Sequence, residues 1–254
     1  MGQAITLKSP GEIKVMREAN QVVAATLAML AERIEPGIST LQLDGWAEDF
    51  ARNKGSVPAF KGYRGFPGSL CVSINEQVVH GIPSDRVILK DGDIISIDFG
   101  VKLHGFYGDS AVTLPVGAIS ARKQKLLDVT RESLDRAIDQ VRVGKRINDI
   151  SKAVQQHVEG NGFSVVRQFV GHGIGSQLHE PPEIPNYVRK ERTPRLVAGM
   201  ALAIEPMVNA GTYEVHVMKD GWTVLTADRA PSAHFEHTVV VTEDEPLVLS
   251  RLSE

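Results

Sequence analysis

Residues 90–100 read KDGDIISIDFG, and residues 197–207 read VAGMALAIEPM. Each is an apolar run of strand length, entered through a glycine and carrying one carboxylate, Asp98 or Glu205. Side chains alternate along a strand, so Ser96 and Asp98 fall on one face of the first run and Ile95, Ile97 and Phe99 on the other. In the second run Ala201, Ala203 and Glu205 share a face against Leu202 and Ile204. A carboxylate placed there must protonate, pair or bind a cation, because burying it unpaired is costly. The small or polar neighbours on each acid's own face leave room for a ligand.

The separation of 107 positions between these runs recurs outward along the chain. Gly37 and Gly144, Gly55 and Gly162, Gly92 and Gly199, Leu43 and Ile150, and Ala47 and Val154 all share it. Two related halves, 10–118 and 119–250, within one domain over 1–254 account for this most simply. Ser9-Pro10 followed by Glu12 reads as a capped helix start, and Ile13, Met16, Val23, Leu27, Leu30 and Ile34 keep a helical period up to Pro36-Gly37. A second helix is expected from Ser39 or Thr40 to Gly55, then a loop rich in Gly, Pro and aromatic residues over 57–68, then strands at 70–74 and 94–100. From Ile119 the order restarts, with a helix to Ile138, another from Ile147 to about Glu159, and strands after it. The expected class is α+β, two related α/β halves sharing one core.

Composition sets the outer bounds. The chain has 254 residues, 42% hydrophobic, with 28 basic against 31 acidic side chains and a formal charge of -3. That balance disfavours nucleic acid as the main ligand, which needs a concentrated excess of Lys and Arg. Size scaling predicts a folded surface of about 11,000 Å². Cys71 is the single cysteine, so neither an intrachain disulfide nor a thiolate-caged zinc can form. The first sixteen residues lack a continuous apolar segment, and no run approaches the roughly 18 apolar residues of a membrane span. A cytoplasmic globular protein is the expectation.

Two further acids join Asp98 and Glu205. Residues 234–241, HFEHTVVV, read as one strand that points Glu236 the same way as His234 and Thr238. Asp109 lies eleven residues past Asp98, on the return strand expected after a turn around Leu103-Gly105. Singly, each acid fits a cap or a surface ion pair. Four together repel unless cations sit among them, and two divalent ions would balance them. Carboxylate with imidazole and no thiolate suits Mn²⁺, Fe²⁺, Co²⁺ or Zn²⁺ in a two-metal hydrolytic site. His172, within Gly171-His172-Gly173-Ile174-Gly175, is the nitrogen ligand candidate, its glycines expected to allow close backbone approach and positive φ. His80 in VVHGIP and His179 in LHEPP read as substrate contacts or supports of the ligands, and His104, His157 and His216 as solvent-facing. Competing motifs fail: residues 179–183 place Glu where HExxH needs its second His, and no Walker loop, GxSxG elbow or strand-borne GxGxxG appears.

Asp98, Asp109, His172, Glu205 and Glu236, with the runs HGIP, IDFG, GHGIG, IEPM and EHTVVVT, resemble the type I methionine aminopeptidases of the M24 family and its pita-bread fold. The resemblance runs from SPGEI to EHTVVVTEDEPLVL, nearly the whole chain, and matches the short bacterial form. It implies a curved antiparallel sheet carrying a dinuclear centre, and removal of the N-terminal methionine from nascent proteins and peptides whose second residue is small. It further implies that Asp109 and Glu236 bridge two ions, that Asp98 chelates one, and that His172 with Glu205 completes the other. A metal-bridging water would attack the first peptide bond, with Glu205 shuttling the proton, His179 bonding the carbonyl and His80 touching the peptide backbone. Candidates for the methionine pocket are Tyr63, Phe66, Cys71 and Trp222, with Cys71 a small buried hydrophobe rather than a nucleophile. Leu178, Phe60 and Arg64 depart from the family pattern and leave the preference at the second residue open. A monovalent cation near Asn75 and Ser232, the ribosome as a candidate partner and a monomeric state are implied likewise. The alternatives are a proline-directed peptidase of the aminopeptidase P or prolidase type, a non-catalytic pita-bread binding protein, and a structural calcium site, which a histidine ligand disfavours.

Overall fold

The computed structural model describes residues 4–252; the first three and last two residues of the expected 1–254 unit lie outside the described residues. In chain order the elements are α1 (Pro10–Ala31), α2 (Thr40–Asn53), β1 (Val57–Pro58), β2 (Cys71–Ile74), β3 (Ile94–Leu103), β4 (Phe106–Pro115), α3 (Ala121–Ile138) and α4 (Ile147–Gly160). There follow β5 (Ser164–Val165), β6 (Gly171–Gly173), β7 (Glu180–Ile184), β8 (Ala201–Ile204), β9 (Met207–Asn209), β10 (Val215–Val217), β11 (Val224–Thr226), β12 (Ser232–His234), β13 (Glu236–Val240) and β14 (Leu247–Val248).

The first helix starts as its sequence dictates. Ser9 accepts from the Glu12 backbone N–H while the Glu12 carboxylate accepts the Ser9 N–H, a reciprocal cap that satisfies two otherwise orphaned donors. It stops at Ala31, short of Ile34, because Pro36 cannot continue a helix and restricts the residue before it. Strand β3 runs past the expected Gly100 to Leu103 and turns through His104 (φ 49) and Gly105 (φ 88), the two-residue hairpin geometry that matches strand twist. It then pairs antiparallel with β4 from Ile94↔Pro115 to Leu103↔Phe106.

The halves repeat in their hydrogen bonds as well as their elements. Helices α2 and α4 each span 14 residues and begin 107 positions apart. The Gly37 N–H donates to the Leu89 carbonyl at 2.9 Å, and the Gly144 N–H to the Leu196 carbonyl at 3.0 Å. Both glycines take positive φ, 98° and 88°, which a side chain would resist. The large sheet is ordered β1-β3-β4-β13-β8-β6-β7, with β2 alongside β3 and β14 alongside β13, so the halves meet at β4 and β13.

Each half packs a cluster under its own helices, and a third cluster, with Met16, Phe60 and Phe66 against Ile174, Leu178 and Val240, joins the two halves. Leu27, Leu43, Ile95, Ile97 and Phe99 pack under α1 and α2, whereas Leu126, Ile150, Leu202, Ile204 and Val239 pack under α3 and α4. The solvent-accessible surface is 11,390 Å². One strand departs from expectation. Residues 234–241 break at Phe235, because Ser232–His234 pairs with β9 and Glu236–Val240 pairs with β8. Glu205 and Pro206 occupy the matching gap between β8 and β9, so Glu205 lies one residue beyond its strand.

Candidate active site

The register of the central strands gathers the acids. Asp98 pairs with Ala111 across β3 and β4, and Ala111 pairs with Glu236 across β4 and β13, which sets three side chains in a row on the face away from the helices. Asp109 lies two residues along β4 from Ala111, on the same face. On the other side Thr238 pairs with Ala203 and Ala203 with His172, with Glu205 two residues past Ala203. The two alanines keep the floor of this face open.

His172 is held by its glycines in one of the two expected ways. Neither Gly171 nor Gly173 takes positive φ. What they permit is contact: a Cβ on Gly171 would sit 2.4 Å from the Ala203 carbonyl oxygen, and one on Gly173 2.2 Å from that of Pro181. The His172 Nδ1–H donates to the Gly173 carbonyl at 2.9 Å. That bond turns Nε2 toward Glu205 Oε1 at 3.6 Å and Asp109 Oδ2 at 4.0 Å.

Asp109, His172 and Glu236 each offer a donor atom within 4.8 Å of the others. Asp98 and Glu205 flank that trio and line the same cavity. Burial drives the Asp98 carboxyl up to about 7, with Glu205 adding to the rise and His234 opposing it. Burial likewise lifts Glu205 to about 7, and lifts Asp109 and Glu236 well above the carboxylate range, their neighbouring acids adding to the effect. Asp98 Oδ1, Asp109 Oδ1, Glu236 Oε1 and His234 Nε2 are buried and hydrogen-bonded to nothing among the described residues. Buried polar atoms are almost always partnered, so orphans converging on one point fit a cation. The donor set of carboxylate oxygen and imidazole nitrogen suits the first-row divalent ions named above.

Beside the acids lies a cavity of about 150 Å³ whose walls include Tyr63, Phe66, Cys71, His80, Leu178, His179 and Trp222. The sequence's candidates for catalysis, divalent metal and the methionine pocket all line this one cavity, whereas Asn75 and Ser232 do not. Phe66 and Trp222 meet edge to face at 5.2 Å, and the His80 ring meets Phe169 and Trp222 the same way at 5.5 and 6.3 Å. The Tyr63 hydroxyl lies 2.9 Å from His179 Nδ1, and the His179 ring is 4.2 Å from that of His172. Burial, followed by the neighbouring His172, pushes the His179 pKa down to about 3; burial and then His234 push that of His80 down to about 4. Both rings are neutral at physiological pH. Cys71 is buried and its thiol pushed upward by burial, then by Asp98, as befits an inert wall residue.

The sequence missed two participants. His234 is buried with Nε2 3.5 Å from Glu205 Oε2, and Phe169 backs His80. His234 carried a signal, since it alternates with Glu236 on one face; Phe169 carried none. His157 is half-buried, not solvent-facing, with Nε2 3.2 Å from Glu132 Oε2, whereas His104 and His216 are exposed. Near the expected monovalent cation, the Asn75 carbonyl accepts the Ser232 N–H at 2.8 Å, and Asn75 Oδ1 accepts the Lys123 ammonium at 2.7 Å.

A curved antiparallel sheet built from two related halves, with clustered acids and one histidine on its open face, defines a metallopeptidase architecture, and comparison with known proteins agrees. The model of metallopeptidase family M24 matches residues 14–243. Methionine aminopeptidase 1 of Bacillus subtilis is 54% identical over 248 residues, covering 98% of this chain and all of that protein. The crystal structure of methionine aminopeptidase from Thermotoga maritima superposes with a TM-score of 0.96 at 43% identity, covering 98% of this chain and 100% of that one. The prolidase from Pyrococcus furiosus shares only the fold, with a TM-score of 0.80 at 20% identity, and this chain covers 66% of it. The chain belongs to the methionine aminopeptidases of metallopeptidase family M24, which have the pita-bread fold.

Proposed function

We propose that this enzyme hydrolyses the first peptide bond of peptides and nascent proteins that begin with methionine and carry a small second residue, within one catalytic unit made of halves 10–118 and 119–250. The observation that carries the proposal is the convergence of Asp98, Asp109, Glu205, Glu236 and His172 on one cavity, with buried, unpartnered oxygens on three of the acids. Tyr63, Phe66, Cys71 and Trp222 form its walls, with the polarisable surfaces a thioether favours.

Asp98, Asp109, His172, Glu205 and Glu236 would hold two divalent ions. When bound, these ions neutralise four carboxylates and supply Lewis acidity and an acidified water nucleophile. Glu205, between His172 and His234, accepts the proton of the attacking water and passes it to the leaving amine. We assign the proton of neutral His179 to Nε2, which leaves Nδ1 to accept from the Tyr63 hydroxyl at 2.9 Å. Nε2–H then donates to the scissile carbonyl oxygen as negative charge builds there. His80, neutral and fixed by aromatic edges, contacts the substrate backbone. No helix among the described residues is long and apolar enough to cross a membrane. Methionine ends arise during translation, so cytoplasmic action on chains leaving the ribosome, by a monomer, belongs to the same proposal. A monovalent cation near Asn75 and Ser232 belongs to the same proposal, with the Lys123 ammonium already bound to Asn75 Oδ1 at 2.7 Å.

The test is peptide cleavage by the chelated enzyme with Mn²⁺, Fe²⁺, Co²⁺ or Zn²⁺ restored in turn. Met-Ala peptides should lose methionine only with metal, while Met-Lys, Leu-Ala and X-Pro substrates should survive. Cleavage without metal, or faster turnover of X-Pro substrates, would refute the proposal.

A further inference from the structure

Arg64 lines the cavity yet takes no part in holding ions or moving protons. Of the lining residues, only Arg64 and His179 are exposed, so the pair marks the mouth through which the rest of a substrate leaves. Arg64 lies in a tight turn with φ 50 and ψ 22, between Gly62 at φ 83 and Gly65 at φ 90. A long side chain is a strained choice where glycine would be free of strain, and such outliers gather at functional positions. Its guanidinium lies 5.4 Å from the centre of the Tyr63 ring and has no carboxylate partner among the described residues.

A substrate seated in this cavity has little choice of path. The cavity holds one side chain, and an extended chain advances about 3.3 Å per residue. The third residue therefore lies about 7 Å beyond the first, outside the walls, and is the first whose side chain is unconstrained by them. Facing it at the mouth is a planar five-donor cation that matches carboxylate geometry and repels ammonium. Resting on the peptidase reading above, we propose that Arg64 is a specificity-determining residue that favours substrates with an acidic side chain at the third position and disfavours basic ones.

The experiment compares Met-Ala-Glu-Leu, Met-Ala-Gln-Leu and Met-Ala-Lys-Leu with the metal-loaded full chain at low ionic strength. An exposed ion pair is worth up to about a fivefold effect, so kcat/KM should fall roughly fivefold from Glu to Lys. At 0.5 M salt, where screening acts within about 4 Å, most of that preference should vanish. Arg64→Gln should bring the Glu-to-Lys ratio near one, Arg64→Glu should invert it and Arg64→Lys should retain part of it. Equal rates in the wild type, or an unchanged ratio in Arg64→Gln, would overturn the role of Arg64 alone. Failure of the wild type to release methionine from any of the three would overturn the peptidase reading and this role with it.

Discussion

Replacing Lys8 with Met should destabilise this enzyme more than any other single removal of a surface-segment charge. Lys8 reaches from the segment before α1 to place its ammonium 2.6 Å from Glu180 Oε2, with side-chain exposures of only 3% and 8%. It also donates to the Thr6 carbonyl at 3.0 Å. The stem crosses Gly175 so closely that a Cβ there would lie 2.2 Å from Lys8 Cε. Methionine keeps the length of the stem and removes the charge, which leaves the Glu180 carboxylate buried with two donors, the Gln177 N–H at 3.0 Å and the Ser176 hydroxyl at 3.4 Å. Breaking a buried pair from one side costs about 3–5 kcal/mol, because the surviving charge is uncompensated. In a protein of this size that corresponds to a fall in Tm of roughly 6–20 °C. The double variant Lys8→Met, Glu180→Met removes both charges and should recover most of the loss. Urea unfolding and calorimetry of the three proteins measure this directly. The loop from Gly175 to Glu180 carries Leu178 and His179, so kcat of Lys8→Met should drop as well, with KM little changed. A loss below about 1 kcal/mol, or a double variant no better than the single, would show that the ion pair does not organise this loop.

Other outcomes follow from the same contacts. His179→Ala should lower kcat by about 10²–10³, the usual loss for one donor to a developing oxyanion, and Tyr63→Phe by about fivefold through loss of the bond that fixes the tautomer; steady-state kinetics on Met-Ala peptides read both. Gly173→Ala should unfold β6 locally and abolish activity, since its Cβ would come within 2.2 Å of the Pro181 carbonyl oxygen; hydrogen exchange at 171–173 reports it. In the metal-free protein the raised pKa values of Asp98 and Glu205, about 7 against ordinary values of 3.8 and 4.5, mean that the folded state binds more protons than the unfolded. Their contribution to stability is therefore complete below about pH 4 and lost as pH rises through about 7, so the chelated enzyme should melt lower at pH 8 than at pH 5.

Much of the site was legible because the chain states it twice. The offset linking Asp98 to Glu205 survives folding as matched helices and matched hydrogen bonds, alternation set Glu236 beside His234 and Thr238, and hairpin spacing set Asp109 on the strand returning from Asp98. What escaped was decided by partners far away in sequence. Nothing in HFEHTVVV signals a break at Phe235, since the run alternates cleanly, and the break exists because β9 and β8 each claim one part of it. The glycines around His172 were read for conformational freedom, yet they serve the approach of the Ala203 and Pro181 carbonyls, which no local pattern encodes. Lys8 and Glu180 lie 172 residues apart, and neither has a neighbour that hints at the other.

The central claim is that these crowded acids are stable together because cations sit among them. Calorimetric titration of the chelated enzyme with Mn²⁺ at pH 7.5, repeated in buffers of different ionisation enthalpy, tests it most directly. The expected result is two ions bound per chain with release of at least one proton, because burial raises the pKa values of Asp109 and Glu236 in the metal-free state and bound cations lower them. Binding without proton release, or no binding at saturating metal while the fold remains intact, would contradict it.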